Sequence, residues 1–375
     1  MRPWDVVTTP SEEQWLRVSS YLHRNRYSLA VQAADGYPAS ARLAGTPLLA
    51  AEQWRLPAPI PLDSIRLEFL PRAAPPRVPD VARLAPYALP ERANGTRYRR
   101  YSDAIEALAA PAVFENRSTY RLLSASLAGG DPRLGFTKGR FFEGVDVGGP
   151  AGHEYAAARL GLIDSCAYRA AFGDPTDLAV RSSAVATSAL TLRYDRATGT
   201  ATFPMHLRDA ALVGHAGGLY QVIPVGIFQP SGEAAWNGAR DFDLWRGLLR
   251  EYAEEILGAS EDYGSEEAPI DYGAWPLFKA MTDGLGDGSI RAYCLGLGTD
   301  PLTFAMDLLA VVVIDAPLYD ELFCAMVTDN AEGLVIRPRP FDEATITELT
   351  TNTPLQAAAA ALLTLAFAHR EVLLS

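Results

Sequence analysis

The sequence predicts an α/β (α+β) chain in two parts: a mixed sheet between helices over residues 179–375, preceded by a smaller α+β unit over residues 1–178. Three observations lead there. At 375 residues the chain is too long for one ordinary core and suits two. Its apolar fraction, 49%, is that of a folded globular protein. From residue 188 onward, alternating runs and helical periodicities follow one another in an order that builds one sheet with helices packed on it.

In the first part, Trp15, Val18, Leu22, Leu29 and Val31 recur at near-helical spacing and predict a helix over 11–34, stopped at Gly36-Tyr37-Pro38. Prolines crowd residues 56–90, either as an ordered extended wrap or as a linker, with one alternating strand over 65–69. Ser102 caps a short helix over 102–109, which Pro111 closes. Strands over 120–126 and 134–147 flank the turn Gly129-Gly130-Asp131-Pro132, and a helix follows over 152–160. No internal repeat is present.

The second part opens with a β-hairpin: Leu190, Leu192 and Tyr194 alternate with polar residues, 195–199 turns, and 200–207 returns. After the glycine-rich residues 214–218 come a strand over 220–223, a loop over 224–233 and a helix over 243–257. The remainder predicts a helix near 276–282, strands over 290–297, 308–314 and 333–337, and a closing helix with Thr353 as cap and Pro354 at its first position.

Composition removes several functions. A formal net charge of −12 argues against a protein that coats nucleic acid or an anionic membrane. The imbalance is uneven, roughly +3 over residues 1–120 and roughly −15 over the rest, so carboxylates concentrate in the second part. No apolar run is long enough to span a bilayer and the start lacks a secretion signal, so a cytoplasmic protein is expected. Cys166, Cys294 and Cys324 are far apart and form no CxxC pair, as expected of reduced thiols. The runs 284–288 and 296–300 are glycine-rich but lack Walker or Rossmann spacing and read as turns. His153-Glu154 lacks a second histidine, and His206 and His215 have no matching partners, so none is given a role.

The chemistry sits on the predicted helix over 243–257. Leu248, Leu249, Tyr252 and Ile256 form its apolar stripe, and Glu251, Glu254 and Glu255 gather beside it at spacings that share a face. Like charges so close repel, and a cation would relieve them; oxygen-only ligands suit a hard ion, Mg²⁺ or Mn²⁺. An ordinary solvent-exposed acidic face is the alternative. Arg250 precedes Glu254 by four residues and is placed to pair with it.

The run Arg250-Glu251-Tyr252-Ala253-Glu254-Glu255, followed by Gly258 and preceded by a hairpin and the loop over 224–233, resembles the signature of the Nudix family, G-x5-E-x7-R-E-U-x-E-E-x-G-U with U a bulky aliphatic. The resemblance covers about half the chain, from residue 179 onward. It departs from the signature in four places. Glu233 comes one residue late after Gly226, sixteen residues separate it from Arg250, two residues lie between Glu255 and Gly258, and Tyr252 replaces the aliphatic residue. The resemblance implies a Nudix-type mixed sheet and a metal-dependent hydrolase of a nucleoside diphosphate linked to another moiety. In it Glu251, Glu254 and Glu255 would hold Mg²⁺ or Mn²⁺, Arg250 would join them in catalysis, and Glu233 would stand at the upstream glutamate. The general base is left open among Asp320, Glu321 and Glu332.

Phe114-Glu115-Asn116-Arg117 and Asp241-Phe242-Asp243-Leu244-Trp245 are further similar to actinobacterial Nudix-like proteins labelled transcriptional regulators, which implies as alternative a non-hydrolytic ligand sensor. That label rests on an N-terminal helix-turn-helix, and the sequence offers one convincing helix before Pro38 with no basic recognition helix. The expected partner is therefore a small, nucleotide-type molecule, with a homodimer left open.

Overall fold

The apolar run over 308–314 is the centre of the fold, every one of its residues fully buried. Burial on both faces explains why it reads as continuous rather than alternating. The structure, a computed structural model, describes residues 8–208, 218–330 and 333–375. Its strands are β1 (Arg55–Pro61), β2 (Arg66–Phe69), β3 (Ser118–Ser126), β4 (Arg133–Arg140), β5 (Val185–Asp195), β6 (Thr200–Arg208), β7 (Tyr220–Gln221), β8 (Val225–Ile227), β9 (Ile290–Thr299), β10 (Met306–Asp315), β11 (Asp329–Asn330) and β12 (Gly333–Pro340). A large mixed sheet runs β1-β9-β10-β5-β6-β12-β11, with β7 on β6 and β8 on β5. The β10–β5 pair is parallel and its neighbours are antiparallel. A small sheet, β2-β4-β3, belongs to the first half.

Helices cover both faces of the large sheet, as a sheet apolar on both sides requires. The helix Leu244–Glu251 packs on β5 and β8, and beyond it Tyr252 places its hydroxyl 2.7 Å from Thr191 Oγ1 on β5. Arg193 pairs with Thr202, so by alternation Phe203 points to the face opposite Thr191. There Phe203 meets Phe341, which meets Phe367 of the helix Ala357–Ala368. The chain is thus a mixed α+β protein with a mixed sheet flanked by helices.

The proline-rich tract is an ordered wrap. Pro57, Pro59 and Pro61 lie on β1, which pairs with β9 at the margin of the large sheet, where a missing N–H costs least. This strand carries residues of the first 178 into the large sheet. The predicted helix over 11–34 is two, Pro10–Arg24 and Arg26–Ala34, broken at Asn25. Its start is a capping box, with Thr9 Oγ1 accepting from Glu12 N and a Glu12 carboxyl oxygen accepting from Thr9 N.

Two expected elements move. The strand expected over 134–147 ends at Arg140, and the helix expected over 152–160 already starts at Phe141 and runs to Arg159. Glycines hide its periodicity because they serve close packing: a Cβ on Gly148 would lie 2.1 Å from the Thr303 carbonyl oxygen, and one on Gly149 2.3 Å from the Tyr101 ring. At the other end, Thr353 closes the helix Glu343–Asn352 rather than capping the last one. Tyr220 N donates to Pro354 O and Gln356 N to Tyr220 O, so residues 354–356 are drawn along β7 and the helix begins at Ala357. Among the described residues no helix is long and apolar enough to cross a membrane.

Candidate functional site

The glutamate run straddles a change of helix type. Asp243 caps the helix by accepting from Arg246 N at 2.9 Å, and Leu244, Leu248 and Leu249 bury its stripe. From Tyr252 to Ile256 the turn widens to π, with Leu257 N reaching back to Tyr252 O. Gly258, at φ +67°, ends it in the left-handed conformation that glycine adopts without strain.

Each glutamate has a different neighbour. Glu255 is buried and accepts from Val225 N at 3.0 Å. Glu254 is half-buried and accepts from the Tyr263 hydroxyl at 2.7 Å. Burial, then the charge of Glu254, pushes the Tyr263 phenol up. Glu251 lies against Gly226: a Cβ there would fall 1.8 Å from the Glu251 carboxyl carbon, so only glycine leaves that carboxylate its place.

Arg250 does not make the expected pair with Glu254. Its buried guanidinium donates to Tyr272 Oη at 2.7 Å and to the Gln229 carbonyl at 2.6 Å, and lies 3.6 Å from Asp241. The Tyr272 hydroxyl in turn donates to Asp241 at 2.7 Å, and Asp241 also accepts from Ser231 N and Oγ, each at 2.7 Å. Arg250 therefore fastens the helix to the loop before it, because a buried guanidinium takes up whatever acceptors the fold puts around it.

Glu233 faces the first half of the chain. It accepts from Ser118 N and Oγ at 2.7 and 2.8 Å and from Arg140 at 2.9 Å. Desolvation works against its charge, but Ser118 and Arg140 outweigh it and hold the carboxyl below its ordinary range. Asp320 is bound by Arg193 through two contacts, 2.7 and 2.6 Å, and neither it nor Glu321 lines the cavity that the motif glutamates share. Glu332 and His215 lie outside the described residues. His206 is fully buried, its ring 3.5 Å from the Gln221 amide.

That cavity, of about 1520 Å³, is built by both halves of the chain. Glu251, Glu254 and Glu255 line it from one side, and Trp15, Phe114 and Phe141 from the first half. Asp307 is a wall residue that sequence reasoning passed over. It is buried on β10 with Ser188 Oγ donating to it at 2.8 Å, and burial pushes its carboxyl up to about 7, against the Ser188 hydrogen bond and with the charge of Asp300 adding to the rise. The signal was available: a carboxylate inside an otherwise apolar strand.

Carboxylate oxygens suit Mg²⁺ or Mn²⁺ as donors. Glu255 is held by Val225 and Glu254 by Tyr263, and among the described residues no three His, Cys, Asp or Glu side chains converge as a metal-holding group.

No family model and no curated protein matches this chain. Among solved structures it is similar to the crystal structure of a NUDIX hydrolase from Alicyclobacillus acidocaldarius, at 15% identity, covering 51% of this chain and 95% of that one, with a TM-score of 0.29.

Proposed function

We propose that the cavity is the active site of a Nudix-type pyrophosphohydrolase, which splits a nucleoside diphosphate linked to another moiety. The observation that carries this reading is that all three glutamates of the Arg250–Glu255 run line one cavity, which is large enough to admit a nucleotide. Val225 N–H donates to Glu255, and the Tyr263 hydroxyl donates to Glu254. Asp307, with its carboxyl at about 7, holds a proton near neutrality and can donate it to a ligand oxygen. Mg²⁺ or Mn²⁺ at Glu251, Glu254 and Glu255 belongs to the proposal through donor chemistry alone.

The test is a panel of nucleoside diphosphate derivatives with Mg²⁺, read for phosphate-ester products. At least one should turn over, and Glu255→Gln should lose most of that rate. Calorimetric titration of Mn²⁺ into parent and the E254Q/E255Q double variant should show much weaker binding in the variant; equal affinity removes the metal site. A panel without turnover, in which a nucleotide still raises the melting temperature, makes the domain a binder that does not hydrolyse.

A further inference from the structure

Another wall of the same cavity is basic. Arg26, the first residue of its helix, is 7% exposed, lines the cavity and donates to Thr303 Oγ1 at 3.2 Å. Arg208, at the end of β6, lines it as well. Burial depresses the Arg26 pKa, Asp300 raises it, and the charge of Arg208 depresses it again, so the two guanidiniums lie within electrostatic reach of each other. His23 adds a third basic group to this wall, its pKa lowered by burial and then by Arg26.

Two amides stand beside them. Gln221 and Gln356 both line the cavity, both are more than nine-tenths buried, and in each the amide oxygen lacks a hydrogen-bond partner among the described residues. They are neighbours of Arg208 through the backbone: Gln221 pairs with His206, two residues before Arg208, and Gln356 N donates to the carbonyl of Tyr220. Unsatisfied amides at this depth are costly unless something in the cavity meets them. Asp329 lines the cavity too, and Asp300 bears on Arg26, so the wall is mixed rather than purely cationic.

We propose that this wall is an oxyanion subsite, in which Arg26 and Arg208 grip a phosphate group while the amide oxygens of Gln221 and Gln356 accept from hydroxyls of the moiety that carries it. Guanidiniums supplied by two separate elements suit a group that presents oxygens in several directions. The inference rests on reading the cavity as the ligand site, and it narrows the substrate class: the moiety linked to the nucleoside diphosphate carries an anionic group of its own. The first half of the chain, through Arg26, then takes part in choosing the substrate.

The experiment is calorimetric titration of inorganic phosphate into the full chain at low salt with EDTA present, which keeps metal at the glutamates out of the measurement. The parent should bind, R208Q should bind about tenfold more weakly or worse, and E254Q/E255Q should bind as well as the parent. R26Q should match R208Q, with melting curves confirming that both are folded; R208Q alone decides if R26Q fails to fold. Absence of phosphate binding by the parent, or equal binding by folded R208Q, overturns the subsite. Neither result bears on turnover with Mg²⁺, so this failure is separable from failure of the hydrolase reading.

Discussion

Replacing Arg250 by methionine keeps the length and the apolar stem of the side chain and removes only the guanidinium. Three groups then lose their partner: Tyr272 Oη, the Gln229 carbonyl and, through the 3.6 Å ion pair, Asp241. Asp241 is the most serious, because its side chain is only 1% exposed and it loses the cation it is paired with. Breaking a buried pair by removing one partner costs about 3–5 kcal/mol. With a slope of roughly 2–4 °C per kcal/mol for domains of this size, the melting temperature should fall on the order of 10 °C. Arg250→Lys keeps charge near Asp241 but cannot reach Tyr272 and Gln229 at once, so it should fall between the two. Urea unfolding gives the free energies, and a double-mutant cycle with Asp241→Asn should recover part of the loss, since it removes the stranded charge. A loss below about 1 kcal/mol in Arg250→Met, or no coupling to Asp241, would refute the argument that this arginine fastens the helix to its loop.

Gly226→Ala tests the seat of Glu251. Contact at ordinary distance begins near 3.4 Å and the new Cβ falls 1.8 Å from the carboxyl carbon, so the carboxylate must retreat by about 1.6 Å. The atoms that must move end a flexible side chain, so the melting temperature should change little, while turnover on any substrate found should drop on the order of a hundredfold; full activity would remove Glu251 from the mechanism. Asp307→Asn tests the buried acid. Its folded pKa, about 7, lies above the ordinary 3.8, so the stability it contributes is complete at low pH and is lost as pH rises through 7. The variant should therefore gain on the parent by on the order of 4 kcal/mol between about pH 4 and about pH 8 in denaturant unfolding, and parallel pH profiles would show that Asp307 is ordinary.

The helix that bears the glutamates was readable because its signals are local: Asp243 caps it and Leu248, Leu249, Tyr252 and Ile256 mark the buried stripe. The hairpin β5–β6 and the apolar strand β10 were readable for the same reason, since alternation and unbroken hydrophobicity are properties of adjacent residues. Arg250 was not. Its i,i+4 spacing pointed to Glu254, whereas its partners Tyr272 and Asp241 come from segments on either side of the helix, brought there by long-range packing that no local spacing encodes. Glu233 is a similar case, because Ser118 and Arg140 lie in the first half of the chain. The helix from Phe141 stayed hidden because Gly148 and Gly149, chosen for close approach to Thr303 and Tyr101, erase the periodicity that would announce it.

One departure from the Nudix signature has a physical counterpart in this chain. The segment has two residues between Glu255 and Gly258 where the signature has one, and the helix carries a π turn over Tyr252–Ile256. A π turn closes its hydrogen bond one residue later than an α turn, so it takes up a single extra residue without moving the helix ends. Leu248 and Leu249 before it, Tyr252 at its start and Ile256 at its end all remain buried, so the apolar stripe keeps its register with the core. Glu255 is delivered to the Val225 N–H and Glu254 to the Tyr263 hydroxyl, while Glu251, still on the α-helical part, stays over Gly226.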